Sequence, residues 1–299
     1  MKYKQQYVYY LASIEKRSMN TIEGYVNDIE TFEKWLKAKC KKSLLNATTD
    51  DIDTYTGYCT VDLGNASSTI NKKLAGIAKY YAYCVKKQGL ETNPAMEATK
   101  QKIKKKDPKF LTEKEVTKLL NAVRKDKRRG TKEEAKVRDY AMLKILVAGG
   151  LRVSELCKLK PEHIDFNNQI LYIVGGKGDK DRAIPLGQST IESIKEYLSV
   201  RDSFSPTVDN IFVTNNGVPF NRNSMNRKLK VYCDLAGLDA INIHPHTLRH
   251  TCATITYSGS GNIRAVQDLL GHTSTEMVSK YIHMVESQVR DVVMTNKFA

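Results

Sequence analysis

A lysine-dense segment, Lys100-Gln101-Lys102-Ile103-Lys104-Lys105-Lys106-Asp107-Pro108, divides this chain of 299 residues into two parts. It is poor in core-forming side chains and closes on a proline, as an exposed linker does. Each flank must therefore bury its own apolar surface, and 299 residues are enough for two cores. Boundaries follow at residues 1–99, 100–109 and 110–299.

The first part has helical spacing throughout. Asn20 and Glu23 stand three apart, like an N-cap and its capping-box partner, and Ile22, Tyr25, Ile29, Phe32 and Leu36 recur at helical intervals behind them. Thr48 or Thr49 suits the start of a shorter helix. Ser67 or Ser68 suits a longer one with Ile70, Leu74, Ile77, Tyr81 and Val85 on one face and Gly89 as its stop. With a first helix near Gln6 to Glu15, the expectation is a small helical bundle. Lys72, Lys73 and Lys79 lie largely off the apolar stripe and are candidates for contact with a polyanion, as are Lys104, Lys105 and Lys106 in the linker.

The second part changes period. Thr112 begins a helix, and another runs from Ala135 to Leu146, ending near Gly149-Gly150. Ile170-Leu171-Tyr172-Ile173-Val174 is β-branched and aromatic, Gly176 to Asp181 makes a turn, and Arg182-Ala183-Ile184-Pro185-Leu186 returns. Asn210 to Val213 is expected to add a third strand, and helices resume near Asn223. The fold class is mainly α, with one small antiparallel sheet in the second domain.

Charge and cysteine usage narrow the setting. The net charge is +15, from 48 basic and 33 acidic groups. Residues 1–106 hold 19 basic and 11 acidic groups and the remainder 29 and 22, so both domains attract a polyanion. The six cysteines form no C-x-x-C pair and no zinc-ligand spacing, which fits reduced thiols in a cytosol and no metal site. No apolar stretch approaches a membrane span or a signal peptide, and the expected location is cytoplasmic.

Six polar residues in the second part carry the chemistry. Arg152 sits in Gly149-Gly150-Leu151-Arg152-Val153-Ser154-Glu155-Leu156, Lys177 in Gly176-Lys177-Gly178, and His246 and Arg249 in His246-Thr247-Leu248-Arg249-His250. His272 follows Leu270-Gly271, and Tyr281 lies nine residues further on. Each has an ordinary explanation by itself: Arg152 as an ion-pair partner of Glu155, Lys177 as a polar turn residue, His272 as a loop histidine. Together they supply what phosphodiester cleavage needs. Arginine forks hold the non-bridging oxygens, a proton donor serves the leaving group, and a side-chain oxygen attacks. His246 and Arg249, three apart, point from one helical face toward one place. A phenol with pKa near ~10 needs such cations to ionise.

In order and spacing these blocks resemble the tyrosine recombinase (phage integrase) family. The match is sharpest over residues 148–283 and looser over the helical N-terminal half, which resembles the family's core-binding domain. Gly149 stands where a threonine is common, and Ile282 where a small polar residue is common. The resemblance implies a two-domain clamp on double-stranded DNA with no cofactor. Tyr281 would be the nucleophile forming a 3′-phosphotyrosyl bond, Arg152 and Arg249 the phosphate ligands, His246 and His272 assistants in hydrogen bonding and proton handling, and Lys177 the general acid. It also implies a homotetramer on DNA, with accessory DNA-bending proteins as further partners. The apolar stripe Val285, Val289, Val292 and Val293 would pack into a neighbouring protomer. Because the bundle begins almost at Met1, the chain resembles the compact Xer-like type without an arm-binding domain. Two other readings share these residues: a type IB topoisomerase that relaxes DNA as a monomer, and a non-catalytic DNA-binding protein of the same fold.

Overall fold

A computed structural model of the chain describes residues 1–103, 109–175 and 181–271. The chain divides into two compact units, Met1–Lys105 and Lys106–Ala299. The fold is mainly helical with one three-stranded antiparallel sheet.

The first unit contains α1 (Lys4–Tyr9), a π-helical turn (Tyr10–Ile14), α2 (Met19–Lys39), α3 (Thr49–Val61) and α4 (Ser67–Gln88). Ile22, Ile29, Phe32 and Leu36 of α2 meet Ile70, Leu74, Ile77, Tyr81 and Cys84 of α4 in a continuous core. Val85, expected on the apolar stripe of α4, is exposed instead, and the buried face passes through Tyr80 and Cys84. Two tyrosines tie the bundle's loops by hydroxyl donation, Tyr80 to the Lys2 carbonyl and Tyr81 to the Leu44 carbonyl, each at 2.6 Å.

The helix starts depend on chemistry within one turn. The Thr48 hydroxyl accepts from the Asp51 N–H while the Asp51 carboxylate accepts from the Thr48 N–H, a reciprocal cap. Asn20 does not cap α2. Ser18 does, accepting from Thr21 N–H, because the helix begins two residues earlier than the Asn20–Glu23 spacing implied. Neither Ser67 nor Ser68 caps α4, since its N-cap is Ala66 with no side-chain bond. Gly89 ends that helix in the left-handed conformation, with φ of 72°.

The second unit contains α5 (Glu113–Arg124), α6 (Glu133–Gly149), α7 (Val153–Lys158), β1 (Ile164–Asp165), β2 (Ile170–Ile173), β3 (Arg182–Pro185), α8 (Gln188–Val200), α9 (Arg222–Leu235), α10 (Pro245–Ser260) and α11 (Ile263–Leu270). Thr112 caps α5 in the same reciprocal way, with Glu115. The α6 helix is central, with Ala141, Met142, Ile145 and Leu146 fully buried and α5, α8 and α10 packed about it. It also buries a polar node. The Arg138 guanidinium lies between the Phe204 and Phe220 rings and donates to Asn215 Oδ1 at 2.8 Å, while Asp139 accepts from Tyr232 Oη at 2.7 Å and from Lys228 Nζ at 2.8 Å.

The sheet has the order β1-β2-β3, with Leu171 opposite Ile184 and Ile173 opposite Arg182. Leu171, Ile173 and Ile184 face the core while Tyr172 is turned out, the alternation expected of a half-buried hairpin. Gly175 N–H donates to Asp181 Oδ1 at 2.7 Å. The third strand is β1, not Asn210 to Val213. That segment is buried but takes part only in an isolated bridge between Val213 and Pro219. Its backbone is satisfied elsewhere: Ile211 N–H donates to the Leu159 carbonyl, and the Asn210 and Ile211 carbonyls accept from Arg201, with Tyr197 Oη also donating to Ile211. A chain whose polar groups are already paired has nothing left for a ladder.

Candidate active site

The site is assembled where α6 ends. Gly150 caps that helix at φ of 59°, and its N–H donates to the Leu146 carbonyl. Leu151 is buried, and Arg152 is the N-cap of α7. A Cβ on Gly150 would stand 2.8 Å from Leu270 Cδ2 and 3.1 Å from Cys252 Sγ. Glycine is therefore required twice over at this turn, by backbone conformation and by the close approach of α10 and α11.

Arg152 and Glu155 form the expected pair. Arg152 Nη1 donates to Glu155 Oε1 at 2.8 Å, and its backbone N–H donates to Oε2 at 2.8 Å. Burial by itself would raise the Glu155 carboxyl, but Arg182 and Arg152 outweigh it and hold the group below the usual carboxylate range. Arg182, at the start of β3, also donates to Glu155 and to the Leu269 carbonyl. Its sequence context assigns Arg182 to the returning strand of the hairpin and to no task. The available signal was an arginine on the first residue of a short returning strand, a position with no obvious need for a cation.

Arg249 and His246 lie in the first turns of α10. Arg249 is only 1% exposed. Its Nη1 donates to the Gly150 carbonyl at 2.7 Å and its Nη2 to the Leu270 carbonyl at 2.5 Å. It thus joins the turn before Arg152 to the end of α11, one residue short of Gly271-His272. His246 is exposed and meets the His250 ring edge-on, with ring centroids 4.4 Å apart. Partial desolvation, followed by the nearby cations Arg249, His244, Arg152 and Arg222, holds His246 below the ordinary histidine value. The structure therefore brings together Arg152, His246 and Arg249 in one cationic locality suited to an anion. Lys177, His272 and Tyr281 lie outside the described residues.

Among the candidate polyanion contacts of the first unit, Lys72 is exposed on α4 and Lys73 partly so. Lys79 pairs with Glu15 at 2.7 Å. Lys104, Lys105 and Lys106 lie outside the described residues. No helix among the described residues is long and apolar enough to cross a membrane.

Comparison with known proteins identifies the family. Residues 109–288 match the phage integrase family, and residues 5–88 match the N-terminal SAM-like domain of phage integrases. The chain belongs to the phage integrase family and is a tyrosine recombinase, an enzyme of site-specific recombination. Among its relatives, tyrosine recombinase XerC of Myxococcus xanthus is 32% identical, over 92% of this chain and 90% of that protein. XerD of Proteus mirabilis is 31% identical, over 91% and 85%. The fold is shared with XerH site-specific recombinase bound to a palindromic difH substrate, with a TM-score of 0.75 and 22% identity over 98% of this chain and 84% of that one. It is also shared with a lambda integrase dimer bound to a core site, with a TM-score of 0.69 and 22% identity over 93% of each chain.

Proposed function

We propose that this recombinase cleaves and rejoins double-stranded DNA through a 3′-phosphotyrosyl intermediate. Tyr281 Oη attacks the scissile phosphorus. The P–O5′ bond breaks, the tyrosine takes its place on the 3′-phosphate, and the departing 5′ oxygen takes a proton from Lys177. Arg152 and Arg249 neutralise the non-bridging oxygens, and His246 and His272 hydrogen-bond there and take up the phenolic proton. A 5′-hydroxyl of a partner strand then reverses the step, releasing Tyr281 and conserving the bond without ATP.

The observation that carries this reading is the convergence of Arg152, His246 and Arg249, from segments about a hundred residues apart, on one locality with lowered histidine basicity. In the same reading residues 1–99 bind the core DNA site, 100–109 form a basic linker and 110–299 are the catalytic domain with a terminal exchange helix. Lys72, Lys73, Lys79, Lys104, Lys105 and Lys106 contact the backbone. The protein works in the cytoplasm as a tetramer on DNA, with accessory DNA-bending proteins, in resolving DNA dimers or moving a mobile element.

The experiment is covalent trapping on a nicked suicide substrate, resolved on a denaturing gel. Tyr281→Phe keeps the ring and loses only the attacking oxygen, so it is expected to bind DNA and form no adduct. A persistent adduct would assign the nucleophile to another residue.

A further inference from the structure

Glu155 serves two arginines at once. Its Oε1 accepts from Arg152 Nη1 at 2.8 Å and from Arg182 Nη1 at 3.0 Å. Its Oε2 accepts from the Arg152 backbone N–H at 2.8 Å and from Arg182 Nη2 at 2.7 Å. The third nitrogen of Arg182, Nε, donates to the Leu269 carbonyl at 3.0 Å. The two guanidinium groups are not equivalent. Only 5% of the Arg182 side chain is exposed, against 32% for Arg152. A Cβ on Gly271 would lie 3.1 Å from Arg182 Cδ, so Gly271 leaves room for the Arg182 stem at the end of α11.

A carboxylate that orients a phosphate-binding arginine also works against it. It brings a negative charge beside the guanidinium and repels the anion that the guanidinium attracts. An Arg152–Glu155 pair in isolation is neutral overall. A second arginine on the same carboxylate returns the group to a net charge of one, while the first arginine keeps its hydrogen-bonded orientation. Arg182 is placed for this task, since two of its guanidinium nitrogens are committed to Glu155 and the third to the Leu269 carbonyl.

We propose that Arg182 is a positioning residue for DNA cleavage: it neutralises Glu155, so that Glu155 orients Arg152 without cancelling the charge Arg152 offers the scissile phosphate. This rests on the reading of Arg152 as a phosphate ligand. Tying β3 to α11 would need only the bond to Leu269. The two-pronged contact with Glu155 is what the electrostatic role adds.

The test is the single-turnover rate of adduct formation on the suicide substrate at saturating protein, where differences in affinity drop out. Arg182→Gln leaves Glu155 to Arg152 alone and is expected to slow cleavage ~10- to 100-fold. The double variant Arg182→Gln with Glu155→Gln removes the uncompensated charge and is expected to cleave faster than Arg182→Gln, by ~5-fold or more. A purely architectural Arg182 predicts no such recovery, because the second substitution only removes another native partner. A double variant no faster than Arg182→Gln, or an Arg182→Gln protein cleaving at the wild-type rate, overturns the proposal. Arg182→Lys keeps the charge and carries the test should the glutamine variant not fold. It loses the fork and the Leu269 bond but keeps the charge beside Glu155, so it is expected to be slowed less than ~10-fold, and a folded lysine variant slowed ~10-fold or more also overturns the proposal. Arg152→Ala in the same assay separates the two levels. If it cleaves normally, the reading of Arg152 fails and takes the proposal with it. If it is slow while the Arg182 results go against expectation, only the role of Arg182 falls.

Discussion

Arg249 Nη1 donates to the carbonyl oxygen of Gly150 at 2.7 Å, across 99 residues of sequence. Its other terminal nitrogen donates to Leu270 at 2.5 Å, and the side chain is almost wholly enclosed. An arginine read from sequence as a phosphate ligand is thus also a brace. It sets where the Arg152 turn stands relative to the end of α11. Loss of this residue therefore has two consequences, one for the fold and one for chemistry, and they can be measured separately.

Arg249→Lys keeps the charge but cannot span both carbonyls with one ammonium. One buried carbonyl is left without its donor, at about 1–3 kcal/mol. We expect urea denaturation to show an unfolding free energy lower by that amount and a cleavage rate reduced ~10²-fold through misplacement of the phosphate ligands. A variant of unchanged stability would show that the two carbonyls find other donors.

Gly150→Ala places a methyl group at a left-handed φ of 59° and within 2.8 Å of Leu270. Conformation alone costs ~1–2 kcal/mol, and displacement of Leu270 and Cys252 adds a comparable overpacking cost. Equilibrium denaturation is expected to show a loss of about 2–4 kcal/mol. Because the Gly150 carbonyl is the Arg249 acceptor, cleavage is expected to slow as well. Normal cleavage by a destabilised variant would mean that the turn relaxes without moving Arg152.

His246 provides a pH signature. Its folded value is lowered by burial and then by Arg249, His244, Arg152 and Arg222. A depressed histidine favours the folded state fully above its unfolded value of about 6.5. That contribution is lost as pH falls from there through the lower folded value, because the unfolded chain then binds the proton more readily. Proton NMR of the His246 ring should place its midpoint below that of a free imidazole. Bound DNA should raise it, since a phosphate anion among these cations favours the imidazolium. A midpoint that does not move when DNA binds would put the phosphate away from His246.

Lys72 and Lys73 test the first unit. If each neutralises one phosphate, the double alanine variant lowers the slope of log affinity against log salt by ~1.8. Lys79→Ala breaks the pair with Glu15, a surface contact worth ~0.2–1 kcal/mol, and its effect on the salt slope reports whether Lys79 leaves Glu15 for DNA. An unchanged slope in both lysine variants would move the DNA face of this unit off α4.

The sequence by itself determined whatever one or two turns of chain can settle. The caps at Thr48 and Thr112 and the Arg152–Glu155 pair are contacts between residues three apart. The stop at Gly89 needs no partner at all, and the β2–β3 hairpin is written in alternation and turn residues. Such features depend on backbone geometry that recurs wherever the pattern occurs. That Arg152, His246 and Arg249 share one locality was legible for a different reason, because a phosphodiester site admits few side chains. Local reading failed where several local solutions were equivalent. Ser18 and Asn20 can both accept from a helix N-terminus, and the helix that forms begins at Met19, which makes Ser18 the cap. Asn210 to Val213 has strand composition, but Arg201, Tyr197 and Leu159 had already taken its polar groups. Arg182 was out of reach for the same reason. Its partners stand 27 and 87 residues away, on α7 and at the end of α11. Only the path of the chain through three dimensions decides which carboxylate and which carbonyl lie within 3 Å of an arginine, and in this protein that path turns two ordinary arginines and a glutamate into one charged unit.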